Sequence, residues 1–187
     1  MVTKQKKVAY VGLDDGHYGS KVAIWEKGQK VRYFSVPSRI AYGEINIANG
    51  LNGQDVNLAN IYEYDNIKYT ILDEDDKSMH PDIIDFRNIE YPTSIENVII
   101  LRHILRKAGL DNSYQVKIVT GLPFRDFFSA KGVKNEKLIN DKIKNFTRYA
   151  DIKCEDSSIT FPELVSHNVM AEGSGAYLNL VMDFNGD

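Results

Sequence analysis

The sequence contains one cysteine, Cys154, in 187 residues. An intrachain disulfide is therefore impossible, and a reducing compartment is expected. The apolar stretch nearest the start, residues 8–13, is too short for a signal-peptide core or a membrane span. Excess positive charge is missing too: the formal net charge is −3. That argues against a general nucleic-acid binder, which is usually basic. Neither an internal repeat nor a low-complexity segment is present. The four histidines, His17, His80, His103 and His167, do not form a zinc-protease pattern. Glu163 and His167 are spaced one helical turn apart but lack a nearby third ligand. Cys154 has no histidine close in sequence that would make it a reactive thiol. Asp73, Glu74, Asp75 and Asp76 are consecutive and lack the spaced ligands and glycine of a calcium loop, so they read as solvated loop.

What is present suits a folded core. Hydrophobic residues make up 43% of the chain and charged residues 26%, which is ordinary for a globular protein. The length fits one domain or a large piece of a two-domain protein.

Residues 8–13 (VAYVGL), 21–25 (KVAIW) and 31–36 (VRYFSV) read as strands joined by tight turns, and so as an antiparallel meander. Residues 45–60 are rich in asparagine and glycine and carry little pattern. Residues 61–64 and 67–72 flank Asp65-Asn66 as a small hairpin. An acidic connection over 73–88 follows. Thr93 and Glu96 form a capping-box pattern ahead of an apolar stripe, Ile95, Val98, Leu101, Leu105 and Ala108. Gly109 is placed to cap that helix's C-terminus, and His103 on it reads as a surface or boundary residue. Residues 115–120 form a buried strand, 136–146 a helix, 157–161 a short strand. Residues 163–180, rich in Ala, Met and Leu, read as a last helix interrupted by Gly173 and Gly175. The order implies a mixed α/β fold.

Chemistry concentrates first in Asp14-Asp15-Gly16-His17-Tyr18-Gly19-Ser20-Lys21. Gly16 and Gly19 permit a sharp bend and close backbone approach. Successive N–H groups in such a bend make an anion nest, Lys21 adds a mobile positive charge, and Asp14 could hold a hydrated magnesium ion. A simple hairpin turn would account for the same residue types. The segment is neither a Walker loop nor a dinucleotide fingerprint, because a strand follows it. The second feature is Phe161-Pro162-Glu163 at an expected strand-to-helix junction. A carboxylate there is favoured by the helix dipole alone, and in a nucleotide cleft it could orient water. Phe124, Phe127 and Phe128, after Thr120-Gly121-Leu122-Pro123, read as core anchors or as an interface patch.

In this order the motifs resemble the ParM/StbA group of actin-like proteins. Asp14-Asp15-Gly16 through Lys21 is similar to that family's first phosphate loop. The capped helix, the strand ending Thr120-Gly121-Leu122-Pro123, and Phe124-Arg125-Asp126 resemble its following elements. Phe161-Pro162-Glu163 resembles its first connecting motif. The resemblance implies an actin-like fold, two ribonuclease-H-like domains with ATP and magnesium between them. It further implies ATP-driven filament assembly, and an adaptor protein that joins the filament to plasmid DNA in the bacterial cytoplasm. Asp14, Asp15, Gly16, His17, Tyr18, Gly19 and Lys21 would then line the cofactor, with Asp14 on magnesium through water. Glu163 would order the attacking water.

The expected layout is an N-terminal domain over 1–187 with an inserted subdomain over about 38–92. The resemblance also implies a second phosphate loop, a second domain and an adenosine motif, none of which this sequence contains. Residues 180–186 read as a helix end or loop. The chain alone is therefore expected to hold ATP weakly and hydrolyse it poorly. It is expected to be a truncation, a fragment or a short homologue. Direct nucleic-acid or membrane contact is not expected. Two other readings stay open: another ATPase of the same superfamily, such as a sugar kinase or Hsp70-like chaperone, and a non-catalytic half-domain that modulates filament assembly.

Overall fold

The computed structural model describes residues 5–45, 57–72, 83–87 and 90–174. Strands β1 (Lys7–Asp15), β2 (Gly19–Glu26) and β3 (Arg32–Pro37) form the expected antiparallel meander. Next come β4 (Ile40–Tyr42), β5 (Ile61–Tyr64), β6 (Ile67–Ile71) and helix α1 (Ile95–Lys107). The described chain then runs through β7 (Tyr114–Leu122), the one-turn α2 (Phe124–Phe127), α3 (Glu136–Arg148), β8 (Lys153–Cys154) and β9 (Glu163–Ala171).

The larger sheet has the order β3-β2-β1-β7-β9. β7 lies parallel to β1, and β9 parallel to β7. Parallel neighbours need a crossover, and helices supply it: α1 precedes β7 and α3 precedes β9. The C-terminal ends of three strands therefore meet at one edge, with Leu13 level with Thr120 and Leu122 level with Ala171. In open sheets of this kind, ligands bind beyond the carboxyl ends of the strands.

Alternation along β1 sends Ala9, Val11 and Leu13 to one face, where they join Val22, Ile24, Val116, Ile118 and α1 in the main core. Val8, Tyr10 and Asp14 face the other way. A smaller antiparallel sheet, β4-β6-β5-β8, packs on α1. Its β5–β6 hairpin turns at Asp65 (φ 52°) and Asn66 (φ 62°), the left-handed pair that a two-residue hairpin requires.

α1 begins one residue later than the Thr93–Glu96 pattern implies. Ser94 is the N-cap, accepting from the Asn97 amide, and Thr93 lies in a preceding 3-10 turn. Gly109 ends the helix at φ 74°. Because both sheets contact α1, burial extends past one stripe to Ile99, Ile100, Arg102, His103 and Ile104. His103 is thus a core residue and not a boundary one: it is 0% exposed, with Tyr62 Oη 3.2 Å from its Nδ1. Arg102 lies between the Phe146 and Phe161 rings and donates to the carbonyls of Tyr149 and Ala150. Burial lowers its pKa to about 10.

The C-terminal portion departs from the sequence reading. Residues 157–161 are not a strand, and the segment from Glu163 is β9 and not a helix. Pairing to β7 along its whole length, with one bulge, outweighs the helix-favouring composition. The rest of that expected helix, 175–180, lies outside the described residues. So do 46–56, the acidic run 73–76 and residues 180–186. Phe127 is buried with Leu122, Ile139 and Ala171, whereas Phe124 is 67% exposed. No helix among the described residues is long and apolar enough to cross a membrane.

Candidate functional site

The edge where β1, β7 and β9 end holds an open cleft of about 430 Å³, lined by Asp14, Thr120, Gly121, Glu172 and their neighbours. Asp14 reaches it because an even position on β1 faces away from the core. Its carboxylate is half exposed and lies 3.4 Å from Lys21 Nζ, its cross-strand partner on β2. Lys21 is 80% exposed and free to swing toward a ligand.

The bend between the two strands is held from behind. The Ser38 hydroxyl donates to the Gly16 carbonyl at 2.7 Å, and the Ser38 amide donates to the Tyr18 carbonyl. Fixing the carbonyls inward leaves the turn's shape set by the interior rather than by solvent. A Cβ on Gly16 would come within 3.1 Å of the Gly19 carbonyl oxygen, a tight contact that the bend would have to yield slightly to admit. His17 packs its ring 5.1 Å from that of Tyr91, and Tyr18 extends into solvent.

Asp15 departs from the cofactor-contact reading. Being one residue further along the strand, it turns to the core face and its side chain is only 4% exposed. It accepts from Lys142 Nζ, Asn97 Nδ2 and the Gly121 amide. All the sequence-expected loop residues are contiguous here, but their side chains divide between cleft, core and solvent.

Glu163 is not in this constellation. It opens β9 opposite Gln115, which is itself level with Val8. Asp14 lies six positions beyond Val8 on β1, about 20 Å at strand rise. Glu163 bonds instead to Lys6 and Gln115 at the far edge of the sheet, and the Gln115 bond, then Lys6, lower its pKa.

The acidic residue that reaches the cleft beside Asp14 is Glu172, just past the end of β9, with its amide bonded to the Leu122 carbonyl. A Cβ on Gly121 would sit 3.2 Å from Glu172 Cγ, so glycine at 121 leaves room for that side chain. Burial raises the Glu172 pKa, and the charges of Asp14 and Asp15 raise it further. The sequence signal for it was the Glu172-Gly173-Ser174-Gly175 run, small residues directly after a carboxylate, which reading the segment as helix concealed.

Among the described residues, no group of three or more His, Cys, Asp or Glu is arranged to hold a bare metal ion. The donor set does fit hydrated magnesium, which takes one or two carboxylates and keeps its waters. Asp14 offers one accessible carboxylate, beside a Glu172 whose ionisation is already opposed by neighbouring negative charge.

A family model described as plasmid segregation protein ParM, N-terminal, matches residues 9–179. The chain belongs to that family. No curated protein matches the sequence. Solved structures show that its fold is actin-like. An archaeal actin homolog, Ta0583, aligns at TM-score 0.59 and 18% identity over 94% of this chain and 48% of its own. The apo pSK41 ParM protein aligns at 0.57 and 19%, covering 93% and 52%. A 15-stranded ParM filament from Clostridium botulinum aligns at 0.51 and 24%, covering 96% and 51%. The chain thus spans about half the length of these solved relatives.

Proposed function

We propose that this ParM-family chain forms one wall of an ATP cleft in an actin-like filament protein of the plasmid-partitioning type. The observation that carries the reading is the meeting of Asp14 and Glu172 across Gly121, at the shared end of three strands and beside a glycine bend. A structure of Ta0583 is a complex with ADP, which supports nucleotide as the ligand class.

In this reading the amides of the Gly16–Gly19 bend cradle phosphate oxygens. Lys21 supplies mobile counter-charge, and Asp14 holds magnesium through water. Glu172, not Glu163, orients the attacking water. Magnesium ATP, when bound, supplies the transferable phosphoryl group and much of its charge neutralisation; catalysis then depends chiefly on positioning. Gly121 keeps Glu172 free to reach that position. The inserted subdomain over about 38–92 and an opposing second domain would complete the cleft.

Self-association into filaments is supported by the family and by neighbours that are themselves filaments. A DNA-bound adaptor would connect the filament to plasmid DNA in the bacterial cytoplasm, without direct nucleic-acid contact by this acidic chain. Sedimentation of the full-length protein tests the reading. Pelleting that requires magnesium ATP is expected, and its absence at every protein concentration would contradict it.

A further inference from the structure

The most buried ion pair among the described residues lies directly beneath the cleft. Lys142, on α3, is 2% exposed and places its ammonium on the Asp15 carboxylate. Three elements converge on that carboxylate: α3 through Lys142, α1 through Asn97 Nδ2 at 2.8 Å, and the end of β7 through the Gly121 amide at 3.2 Å. Asp15 is the residue before Gly16, where the bend starts. One turn further along α3, Asn145 Nδ2 donates to the Ser94 carbonyl, the N-cap of α1, at 2.8 Å. The inward face of α3 therefore carries Lys142 and Asn145 among apolar positions such as Ile139.

Burying such a pair is costly. A well-packed apolar substitute for both partners is often as stable or more so, whereas removing one partner strands a buried charge. Stability alone does not account for a lysine here. Fixing the entry to the bend against Gly121, next to Glu172, does. We propose that Lys142 is a positioning residue of the nucleoside triphosphate site. Acting through Asp15, it seats the phosphate bend in register with the end of β7, so that the bend's amides are preset for phosphate. The inference rests on the phosphate-site reading above. Lys142 itself faces Asp15, away from the cleft, and touches no ligand.

The test compares Lys142→Met, Lys142→Arg, Asp15→Asn and the double variant Asp15→Asn/Lys142→Met in the full-length protein. ATP affinity, kcat, KM and melting temperature are measured for each. Lys142→Met is expected to weaken ATP binding tenfold or more, with kcat at saturation within threefold of the unmodified protein. Lys142→Arg restores most of the affinity. The double variant removes both charges, so its melting temperature recovers while its affinity stays low. A folded Lys142→Met protein that binds ATP normally overturns the inference, as does a double variant that recovers affinity together with stability. If Lys142→Met does not fold, folded Asp15→Asn decides: a tenfold loss supports the inference and unchanged binding overturns it. Failure of the unmodified protein to bind ATP overturns the phosphate-site reading and this inference together. Normal binding by the variants overturns this inference alone.

Discussion

Asp14 and Asp15 are adjacent in sequence and face opposite sides of β1. The Asp14 carboxylate is half exposed beside Lys21, and the Asp15 carboxylate is buried on Lys142. Strand alternation alone creates the division, since successive side chains point to opposite faces. One acidic pair therefore serves both surfaces of the sheet: Asp14 faces the cleft, and Asp15 ties the strand end to the interior.

Asp14→Asn should separate binding from stability. Its pairing with Lys21 is exposed and contributes little to folding. The melting temperature should move by no more than about 0.5 kcal/mol equivalent. ATP affinity in magnesium should fall, on the order of tenfold, and the difference from the unmodified protein should shrink when magnesium is chelated. Titration calorimetry with and without chelator checks both.

Ser38→Ala should destabilise the bend. It removes the buried hydroxyl that donates to the Gly16 carbonyl at 2.7 Å. Losing that part-buried bond costs about 1 kcal/mol, or roughly 2–4 °C in Tm for a domain of this size. Differential scanning calorimetry reads the shift, and an unchanged Tm would show that the contact does not hold the loop.

Acid should destabilise the protein through His167. Its Nε2 lies 3.0 Å from the Thr120 hydroxyl, and burial, then the charge of Lys142, lowers its pKa to about 4. The unfolded histidine titrates near an ordinary value of about 6.5. As pH falls from about 6.5 to 4, the unfolded chain takes up a proton that the folded chain refuses. Stability is therefore full above that window and declines on acidification through it, by on the order of 3 kcal/mol at the lower end. Urea unfolding across this range should show the slope, and His167→Gln should flatten it.

Much of the frame was legible because local signals agree with it. The meander follows from three apolar runs with tight turns, the hairpin from Asp65-Asn66, and the end of α1 from Gly109. The end of the chain was not legible in this way. The run from Glu163 to Ala171 carries residues that suit a helix, and only pairing with β7, distant in sequence, makes it a strand. Read as a helix, that segment starts at Glu163 and hides Glu172; as a strand it puts Glu163 at the far edge of the sheet and Glu172 at the cleft. His103 and Lys142 were hidden for a related reason. His103 is polar on a helix face opposite the apolar stripe, whereas Lys142 shares the apolar stripe of α3, and each is buried by a partner from another element.

The sharpest measurement pairs Glu172→Gln with Glu163→Gln in the full-length protein, recording ATP hydrolysis and ATP binding for each. Glu172→Gln should slow hydrolysis at least tenfold while ATP affinity stays within about threefold, and Glu163→Gln should alter neither, because it bonds Lys6 and Gln115 at the opposite edge of the sheet. Normal turnover by Glu172→Gln, or a loss confined to Glu163→Gln, would contradict the placement of the phosphate site at the joined ends of β1, β7 and β9.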